Sequence, residues 1–326
     1  MKYYFLFFFL IVSSLQAQFF KTNDGLAHTF SIVAIDKETG EMGVAVQSHW
    51  FSVGNVVAWA KGGVGAIATQ SFVNKSFGPR GLELIAQGKT ANETLTELLS
   101  SDESREVRQV AIVDNRGNIA VHTGKKCVDF AGHISGKDFS VQSNMMLTDQ
   151  VPEAMAQVFE NSRGLPLAER MLKALEAAQG VGGDIRGKQS AAIRVVKLES
   201  TGEPWNDDFV VDLRVDDHQD PISEISRLLK VHRAYEYMNE GDLQVEYGNM
   251  DNAMTAYNAA MQMFPNNLEM KYWTAITLAN NGQVSKAVNM LQKVYKKDKN
   301  WRELTKRLPK VGLLTVSDSD LKQILK

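Results

Sequence analysis

The order in which strand-like and helix-like segments follow one another between residues 29 and 215 constrains the fold more than any other feature. Two strand pairs come first, then two helices, further strands, two more helices and two final strands. A doubly wound parallel sheet alternates single strands with single helices, so this order argues against it. The sequence predicts an α+β domain in which helices cover the outer faces of a sandwich of sheets.

Turn residues and helix caps set the predicted bounds of these segments. A turn at residues 36–40 ends in Gly40 and joins the first two strands into a β-hairpin. Thr90 and Glu93 form a capping box at the start of the second helix. The predicted strands are 29–35, 42–46, 55–60, 64–69, 107–113, 118–122, 139–142, 191–198 and 209–215, and the predicted helices are 79–86, 90–99, 152–160 and 166–178.

The N-terminal segment is typical of a secretory signal peptide. Lys2 precedes an apolar run over residues 3–12, and small or polar residues lead to Ala17. The run is well short of the ~20 residues that cross a bilayer, so we expect signal peptidase to cut after Ala17. This predicts an exported protein, periplasmic or secreted, with residues 18–28 as a leader and no stable membrane span after cleavage. An uncleaved N-terminal anchor is the alternative.

Composition and single motifs exclude several classes of function. The formal net charge of -2 gives no electrostatic reason to expect nucleic acid as a partner. The glycines at 61–65 have no helix behind them to bind phosphate, and a Gly-x-Ser-x-Gly nucleophile elbow is absent. The histidines lack metal-ligand spacing, so we expect no metal or cofactor, with a site at His122 and His133 as a weak alternative. Cys127, the single cysteine, is expected to be buried rather than reactive.

The last third of the chain has a helical pattern that repeats every 34 residues. The repeated pairs are Gly248 and Gly282, Ala253 and Ala287, Tyr257 and Leu291, and Ala260 and Val294. Small residues let two helices approach closely and large ones fill the space between them, so this tail resembles tetratricopeptide repeats. After a polar linker at 216–221, the sequence predicts a helical unit over residues 222–326 that binds a protein partner or acts as a structural cap.

Polar side chains gather at the ends of the predicted strands. They are Thr29, Ser31, Ser48, Gln70, Ser143, Asn144, Asp184 and Ser190. In this order they resemble a widespread bacterial and archaeal domain family of unknown function that is grouped with the N-terminal-nucleophile (Ntn) hydrolases. The resemblance covers about residues 29–218. It is carried best by the opening Thr-Phe-Ser-Ile-Val-Ala strand, the Ala-Thr-Gln-Ser-Phe-Val-Asn block at 68–74 and the Gly-Gly-Asp-Ile-Arg-Gly-Lys-Gln-Ser-Ala-Ala run at 182–192.

The resemblance implies a four-layer αββα sandwich with a nucleophile at the start of the first strand. Thr29 stands at that place, and its own α-amine, once free, would take up the hydroxyl proton. Ser143 and Asp184 correspond to supporting catalytic residues, and oxyanion donors are expected near Gly63 or Ser143 and from the Asn144 side chain. The implied substrate is an amide of a small or peptide-like compound. Substrate contacts are expected from Ser31, Ser48, Gln70, Asn144 and Ser190.

Two departures from the superfamily keep a second interpretation open. The lysine expected on the third strand has no clear counterpart, since counting leads to Asn55 and Lys61 falls in a turn. Residues 18–28 also block the amine of Thr29 unless a second cut follows His28. The alternative is a non-catalytic Ntn-like scaffold whose repeat tail binds a protein partner at the cell envelope. Retention of the leader on the mature protein would favour this alternative.

Ordinary structural roles compete with the catalytic assignments. Thr29 and Ser31 lie on one face of a predicted strand, where β-branched threonine is common for its shape alone. Asp184 and Arg186 are two residues apart in a Gly-rich turn, where a surface ion pair is an equally simple interpretation. Gln70 can be explained by hydrogen bonds to loop backbone.

Overall fold

The structure of the protein, a computed structural model, describes residues 25–203 and 208–326. The predicted signal peptide, residues 1–17, and the leader residues 18–24 lie outside the described residues. The chain divides into two compact units, with the boundary between Ile222 and Ser223. Separate clusters of buried apolar side chains lie within each unit.

The first unit contains two sheets in which all paired strands are antiparallel. In the described residues the strands are β1 (Gly25–Ala27), β2 (Thr29–Asp36), β3 (Glu41–Ser48), β4 (Ala58–Lys61), β5 (Gly65–Val73), β6 (Arg108–Asp114), β7 (Ile119–Thr123), β8 (Gly132–Ser135), β9 (Phe139–Ser143), β10 (Ser190–Lys197) and β11 (Phe209–Val215). The first sheet has the order β1-β5-β6-β7, with β4 also paired to β5. The second sheet has the order β11-β10-β3-β2-β9-β8.

The two sheets pack face to face, and helices cover their outer faces. These helices are α1 (Phe77–Ala86), α2 (Ala91–Ser100), α3 (Val151–Asn161) and α4 (Leu167–Gly180). α1 and α2 pack on the first sheet, and α3 and α4 pack on the second. The predicted combination of sheets and helices in the first unit is therefore confirmed, and its paired strands are antiparallel. The capping box at the start of α2, where Thr90 and Glu93 exchange hydrogen bonds, is confirmed as well.

Apolar side chains on the inner faces of the sheets form the core between them. Val33 of β2, Val44 of β3 and Ala68 of β5 are fully buried in this cluster. Removing a valine side chain from water stabilises the fold by about 1.5–3 kcal/mol, so these positions determine which face of each strand is inward. Strand alternation then places Ser31 on the same inner face as Val33 and Phe30 on the outer face.

Strand register brings predicted site residues to one end of the second sheet. Thr29 of β2 is opposite Ser48 of β3, and Ser48 is also opposite Ser190 of β10. On the other side of β2, Phe30 is opposite Ser143 of β9. Residues more than a hundred positions apart in the chain therefore become neighbours through backbone pairing.

Four strands differ clearly from the sequence-based prediction, one of them β5, which runs to Val73 rather than ending at residue 69. β1 and β8 were not predicted, because they have only three and four residues and no apolar alternation to mark them. The strand predicted at 55–60 begins only at Ala58, since Val53–Asn55 forms a turn of 3₁₀-helix. β1 matters most for the site, because it consists of residues that the sequence assigned to the leader.

The second unit is built from α5 (Pro221–Glu246), α6 (Met250–Met263), α7 (Leu268–Asn280), α8 (Val284–Lys297), α9 (Asn300–Thr305) and α10 (Asp318–Ile324). Gly248 and Gly282 occupy equivalent turns of the repeat, each with a φ of +75° that glycine adopts without steric cost. At Gly241 of α5 a Cβ would lie 2.3 Å from the ring of Tyr257 on α6, so only glycine allows this contact. Among the described residues, no helix is long and apolar enough to cross a membrane.

Candidate functional site

Two hydrogen-bond donors converge on the backbone carbonyl oxygen of His28. The Ser48 hydroxyl donates to it at 2.6 Å, and Nη2 of Arg186 donates to it at 2.8 Å. This carbonyl belongs to the peptide bond that joins His28 to Thr29. Fixed donors, one of them positively charged, are the groups that stabilise an oxyanion when a nucleophile attacks a carbonyl carbon. The arrangement is therefore suited to acyl transfer at this bond.

Asp184 holds the Arg186 guanidinium in place. One carboxylate oxygen of Asp184 accepts from Nε and from the backbone N–H of Arg186, at 3.0 and 2.9 Å. The other accepts from Nη2 of Arg186 at 2.8 Å and from the backbone N–H of His49 at 3.1 Å. The Asp184 side chain has no solvent exposure, so this ion pair is buried on the carboxylate side. The sequence-based interpretation of a surface ion pair is corrected accordingly.

Thr29 lies directly after this carbonyl and is fully buried. Its hydroxyl donates only a long hydrogen bond, 3.4 Å, to the carbonyl oxygen of Ala27. Its backbone carbonyl is held more firmly, by the N–H of Asn144 at 3.0 Å. The backbone of Thr29 is therefore fixed in the sheet while its hydroxyl is weakly bound, which leaves the oxygen available for reaction.

A chain of buried hydrogen bonds runs between the sheets beside Thr29. Gln142 donates to the Ser31 hydroxyl at 2.5 Å, and this hydroxyl donates to the side-chain oxygen of Gln70 at 2.6 Å. The Gln70 amide donates to Gln109 at 2.7 Å, and Gln109 also accepts from Asn144 at 2.9 Å. All five residues are fully buried. The predicted substrate residues Ser31, Gln70 and Asn144 are brought together here, bound to one another.

The imidazole of His28 bonds to Asn144, at the end of this hydrogen-bond chain. Its Nδ1 lies 2.6 Å from the side-chain oxygen of Asn144, so Nδ1 carries the proton in the neutral ring. The ring also meets Phe72 edge to face, with centroids 5.3 Å apart. Burial lowers the pKa of His28, and the hydrogen bond with Asn144 opposes this only in part. His28 is therefore neutral at pH 7, and its buried ring is held by one hydrogen bond and one aromatic contact.

The hydroxyls of two predicted site residues, Ser190 and Ser143, bond neither to the His28 carbonyl nor to the buried chain. The Ser190 hydroxyl donates to the carbonyl of Trp50 and accepts from the N–H of Val53 at 3.0 Å, so it holds the loop after β3 and forms no pair with Asp184. Ser143 is opposite Phe30 and so lies on the outer face of the second sheet. Its hydroxyl is buried and has no hydrogen-bond partner among the described residues.

Two of the groups expected as oxyanion donors make other hydrogen bonds. The N–H of Gly63 donates to the carbonyl of Lys197 at 3.0 Å, and the amide of Asn144 is used in the buried chain. The donors to the His28 carbonyl are Ser48 and Arg186. From the sequence Ser48 is expected only as a substrate contact, and Arg186 is not expected at the site. The only local signal for Arg186 was its position two residues after Asp184 in a Gly-rich segment.

The remaining titratable candidates have structural partners. His122 lies 2.9 Å from the carbonyl of Arg105, and His133 lies 2.9 Å from the hydroxyl of Thr123. Over residues 25–203 and 208–326, no three His, Cys, Asp or Glu residues are grouped closely enough to hold a metal ion. Cys127 is buried as predicted, and burial raises the pKa of its thiol, so it is a poor nucleophile near neutral pH.

Comparison with known proteins identifies the first unit. Residues 29–225 match the model of a family of unknown function, DUF1028, and the chain belongs to this family. Residues 244–308 match the tetratricopeptide repeat, as the 34-residue period predicted. No curated protein matches the chain.

A solved structure is similar to the same part of the chain. It is the crystal structure of protein SPO2555 from Silicibacter pomeroyi, a DUF1028 protein. It shares 30% sequence identity and a TM-score of 0.55 with this protein, over 63% of this chain and 88% of its own. The family resemblance stated from the sequence is thus confirmed, and it carries no established activity with it.

Proposed function

We propose that this protein is an exported Ntn-type hydrolase that cleaves an amide bond in a peptide-like substrate, with Thr29 as nucleophile. The observation that carries the proposal is the convergence of Ser48 and Arg186 on the carbonyl oxygen of His28, next to the weakly bound Thr29 hydroxyl. The succession of helices, two facing sheets and helices supports assignment to the αββα sandwich of the Ntn superfamily. The family match, which begins at residue 29, supports a mature domain that begins there.

The first reaction in this proposal releases the leader. The Thr29 oxygen bonds to the His28 carbonyl carbon, the bond between that carbon and the Thr29 nitrogen breaks, and the hydroxyl proton ends on the new α-amine. Water then hydrolyses the resulting ester, which releases the leader with a C-terminal carboxylate and restores the hydroxyl. In later turnovers the α-amine, with an ordinary pKa of about 8, accepts the hydroxyl proton and passes it to the leaving amine.

Asp184 and Arg186 have distinct roles in this mechanism. Arg186 stabilises the negative charge that develops on the carbonyl oxygen, and Asp184 positions Arg186 without touching the reacting atoms. The cation of the site is therefore an arginine from the segment before β10 rather than a lysine on the third strand. Ser143, whose hydroxyl lies on the opposite face of the sheet, has no assigned step.

A specific observation favours the alternative, a scaffold that binds a protein through its tail. The second unit contains a groove of about 660 Å³ in which methionine and lysine side chains predominate. They are Met250, Met254, Met261, Met290, Lys271, Lys286 and Lys293. Methionine side chains adapt to many apolar partners, and tetratricopeptide repeats commonly bind proteins, so a protein ligand at this groove is the second candidate function.

The N-terminal residue of the mature protein decides between the hydrolase and the protein-binding scaffold. We would recover the exported protein and determine its first residue by intact mass and terminal sequencing, with Thr29→Val and Thr29→Ser as a matched pair. Valine keeps the β-branched shape without the hydroxyl, and serine keeps the hydroxyl. We expect wild type and Thr29→Ser to begin at residue 29, and Thr29→Val to retain the leader.

Two other results would contradict self-processing. Wild-type protein that begins at Gln18 leaves Thr29 without a free amine and favours the scaffold. Thr29→Val protein that begins at residue 29 shows that another protease removes the leader.

A further inference from the structure

The segment before Thr29 is bound in the fold as an extended peptide would be. β1 pairs antiparallel with the end of β5, with Gly25 opposite Val73, Leu26 opposite Phe72 and Ala27 opposite Ser71. Release of the leader at Thr29 would remove this strand and expose the edge of β5. An exposed strand edge pairs readily with another extended chain.

Each position of this segment has a different steric environment. Ala27 is fully buried within the core between the sheets. Leu26 remains 37% exposed. At Gly25 a Cβ would lie 3.1 Å from the ring of Trp50, which is tight for a larger residue. A peptide bound in place of residues 25–27 therefore needs a small residue at the position of Ala27. It accepts varied residues at the position of Leu26 and favours glycine at the position of Gly25.

The position of His28, whose carbonyl belongs to the acyl group, is the most selective. His28 is 1% exposed, its ring lies edge to face with that of Phe72, and it donates from Nδ1 to the side-chain oxygen of Asn144. That oxygen is oriented toward the ring because the Asn144 amide nitrogen already donates to Gln109. An aromatic neighbour and an acceptor aimed at Nδ1 together select a ring that carries an N–H donor.

We propose that the substrates of this site are extended peptides that replace the leader on the edge of β5, with a histidine-like ring on the acyl side of the cleaved amide. This inference rests on the proposed function and names its substrate class. The peptide carbonyl takes the place of the His28 carbonyl, between the Ser48 hydroxyl and Arg186. The Thr29 oxygen forms an ester with the acyl group, the amine leaves with the proton held by the α-amine, and water hydrolyses the ester to a carboxylate.

The test uses self-processed wild-type protein and fluorogenic amides of 7-amino-4-methylcoumarin. The reference substrate is acetyl-Gly-Leu-Ala-His, which copies residues 25–28, and three analogues each change one position. We expect kcat/KM to fall about tenfold or more when the histidine becomes alanine, and again when the third-position alanine becomes leucine. Replacing the leucine by lysine should change kcat/KM less than about threefold, because that side chain points to solvent in the leader.

A second arm tests the same pocket within the full chain. We expect His28→Ala to slow leader release about tenfold or more, and Leu26→Lys to release the leader at nearly the wild-type rate. Because the two substitutions lie in the segment that is removed, the processed products are identical proteins. A difference in rate therefore reports recognition of the leader rather than a damaged enzyme.

The outcomes separate this inference from the function on which it rests. Hydrolysis of all four amides at similar rates would overturn the substrate class and leave the hydrolase intact. Absence of both leader release and amide hydrolysis in wild type would overturn both. Tight discrimination at the histidine and alanine positions with tolerance at the leucine position would support the proposal.

Discussion

Arg186 is the single residue whose role depends most on tertiary structure. In the sequence it is one basic residue of a Gly-rich segment. In the fold its Nη2 lies 2.8 Å from the His28 carbonyl oxygen and 2.8 Å from the Asp184 carboxylate. Because Asp184 also accepts from Nε, the planar guanidinium is fixed in orientation, which a flexible ammonium group could not reproduce.

Substitution of this arginine should slow leader release without preventing folding. Arg186→Lys keeps the positive charge but loses the planar guanidinium that directs an N–H at the His28 carbonyl. We therefore expect leader release to slow about 10²–10³-fold, which is the effect of losing one oxyanion donor. Intact mass over time after purification of the precursor measures this rate. Arg194→Lys is the matched control, since Arg194 has a similar fork, with Nε to Asp212 at 3.0 Å and Nη1 to the carbonyl of Ala58 at 2.8 Å. Equal slowing in both variants would contradict the assigned role.

His28 should make the stability of the unprocessed protein depend on pH. Burial lowers its pKa in the folded state, so below the unfolded value near ~6.5 the unfolded chain binds more protons than the folded one. Stability contributed by the docked, neutral ring is therefore present above this pH and is lost as the pH falls below it.

The comparison is made in protein that keeps its leader. We expect the melting temperature of Thr29→Val to fall more between pH 7.5 and pH 5.5 than that of Thr29→Val with His28→Phe, which retains a ring that does not titrate. Differential scanning calorimetry at both pH values measures this. His133, whose pKa burial also lowers, is present in both proteins and cancels in the difference. Identical pH dependence in the two proteins would show that His28 is not docked in its neutral form.

At the scale of elements, local chemistry predicted most strands and helices but not β1. The hairpin of β2 and β3 was recognisable because apolar residues flank a turn that ends in Gly40, whose φ is +72°. β1 has three residues and exists because its backbone completes the edge of β5. Nothing in the pattern of residues 25–27 indicates pairing with residues 71–73. The same limit explains why β8 was missed.

The close contact of α5 and α6 gives an element-scale prediction. Gly241→Ala places a Cβ 2.3 Å from the Tyr257 ring, and we expect the second unit to lose about 1–3 kcal/mol of stability, as overpacked cores do. Calorimetry of the full chain measures the loss. Gly180→Ala is the control, because a Cβ there meets no atom within 4 Å.

A rescue experiment distinguishes overpacking from a general effect of alanine. With Tyr257→Leu in the same chain, the smaller side chain should remove most of the additional cost of Gly241→Ala. Additive losses from the two substitutions would contradict the close contact. Tyr257→Leu by itself removes the hydrogen bond from the Tyr257 hydroxyl to Asp242, so it must be measured separately.

At the scale of the whole molecule, the chain joins a DUF1028 domain to a tetratricopeptide-like unit. The linker predicted at 216–221 lies close to the boundary of the two compact units, after Ile222. This boundary was accessible from sequence because the strand pattern stops and a 34-residue helical period begins. The export prediction concerns residues outside the described part of the chain and stays a prediction.

The sequence by itself determined most of the secondary structure, the two-part organisation and the family, because side-chain periodicity, turn residues and repeat spacing are properties of neighbouring residues. It also pointed to Thr29, Ser48 and Asp184 as site residues. Only the tertiary structure decided that Ser48 and Arg186 meet at the His28 carbonyl, that Ser143 lies on the other face of its sheet and that residues 25–27 form a strand. These contacts depend on pairing between segments as many as 158 residues apart, which no local pattern encodes.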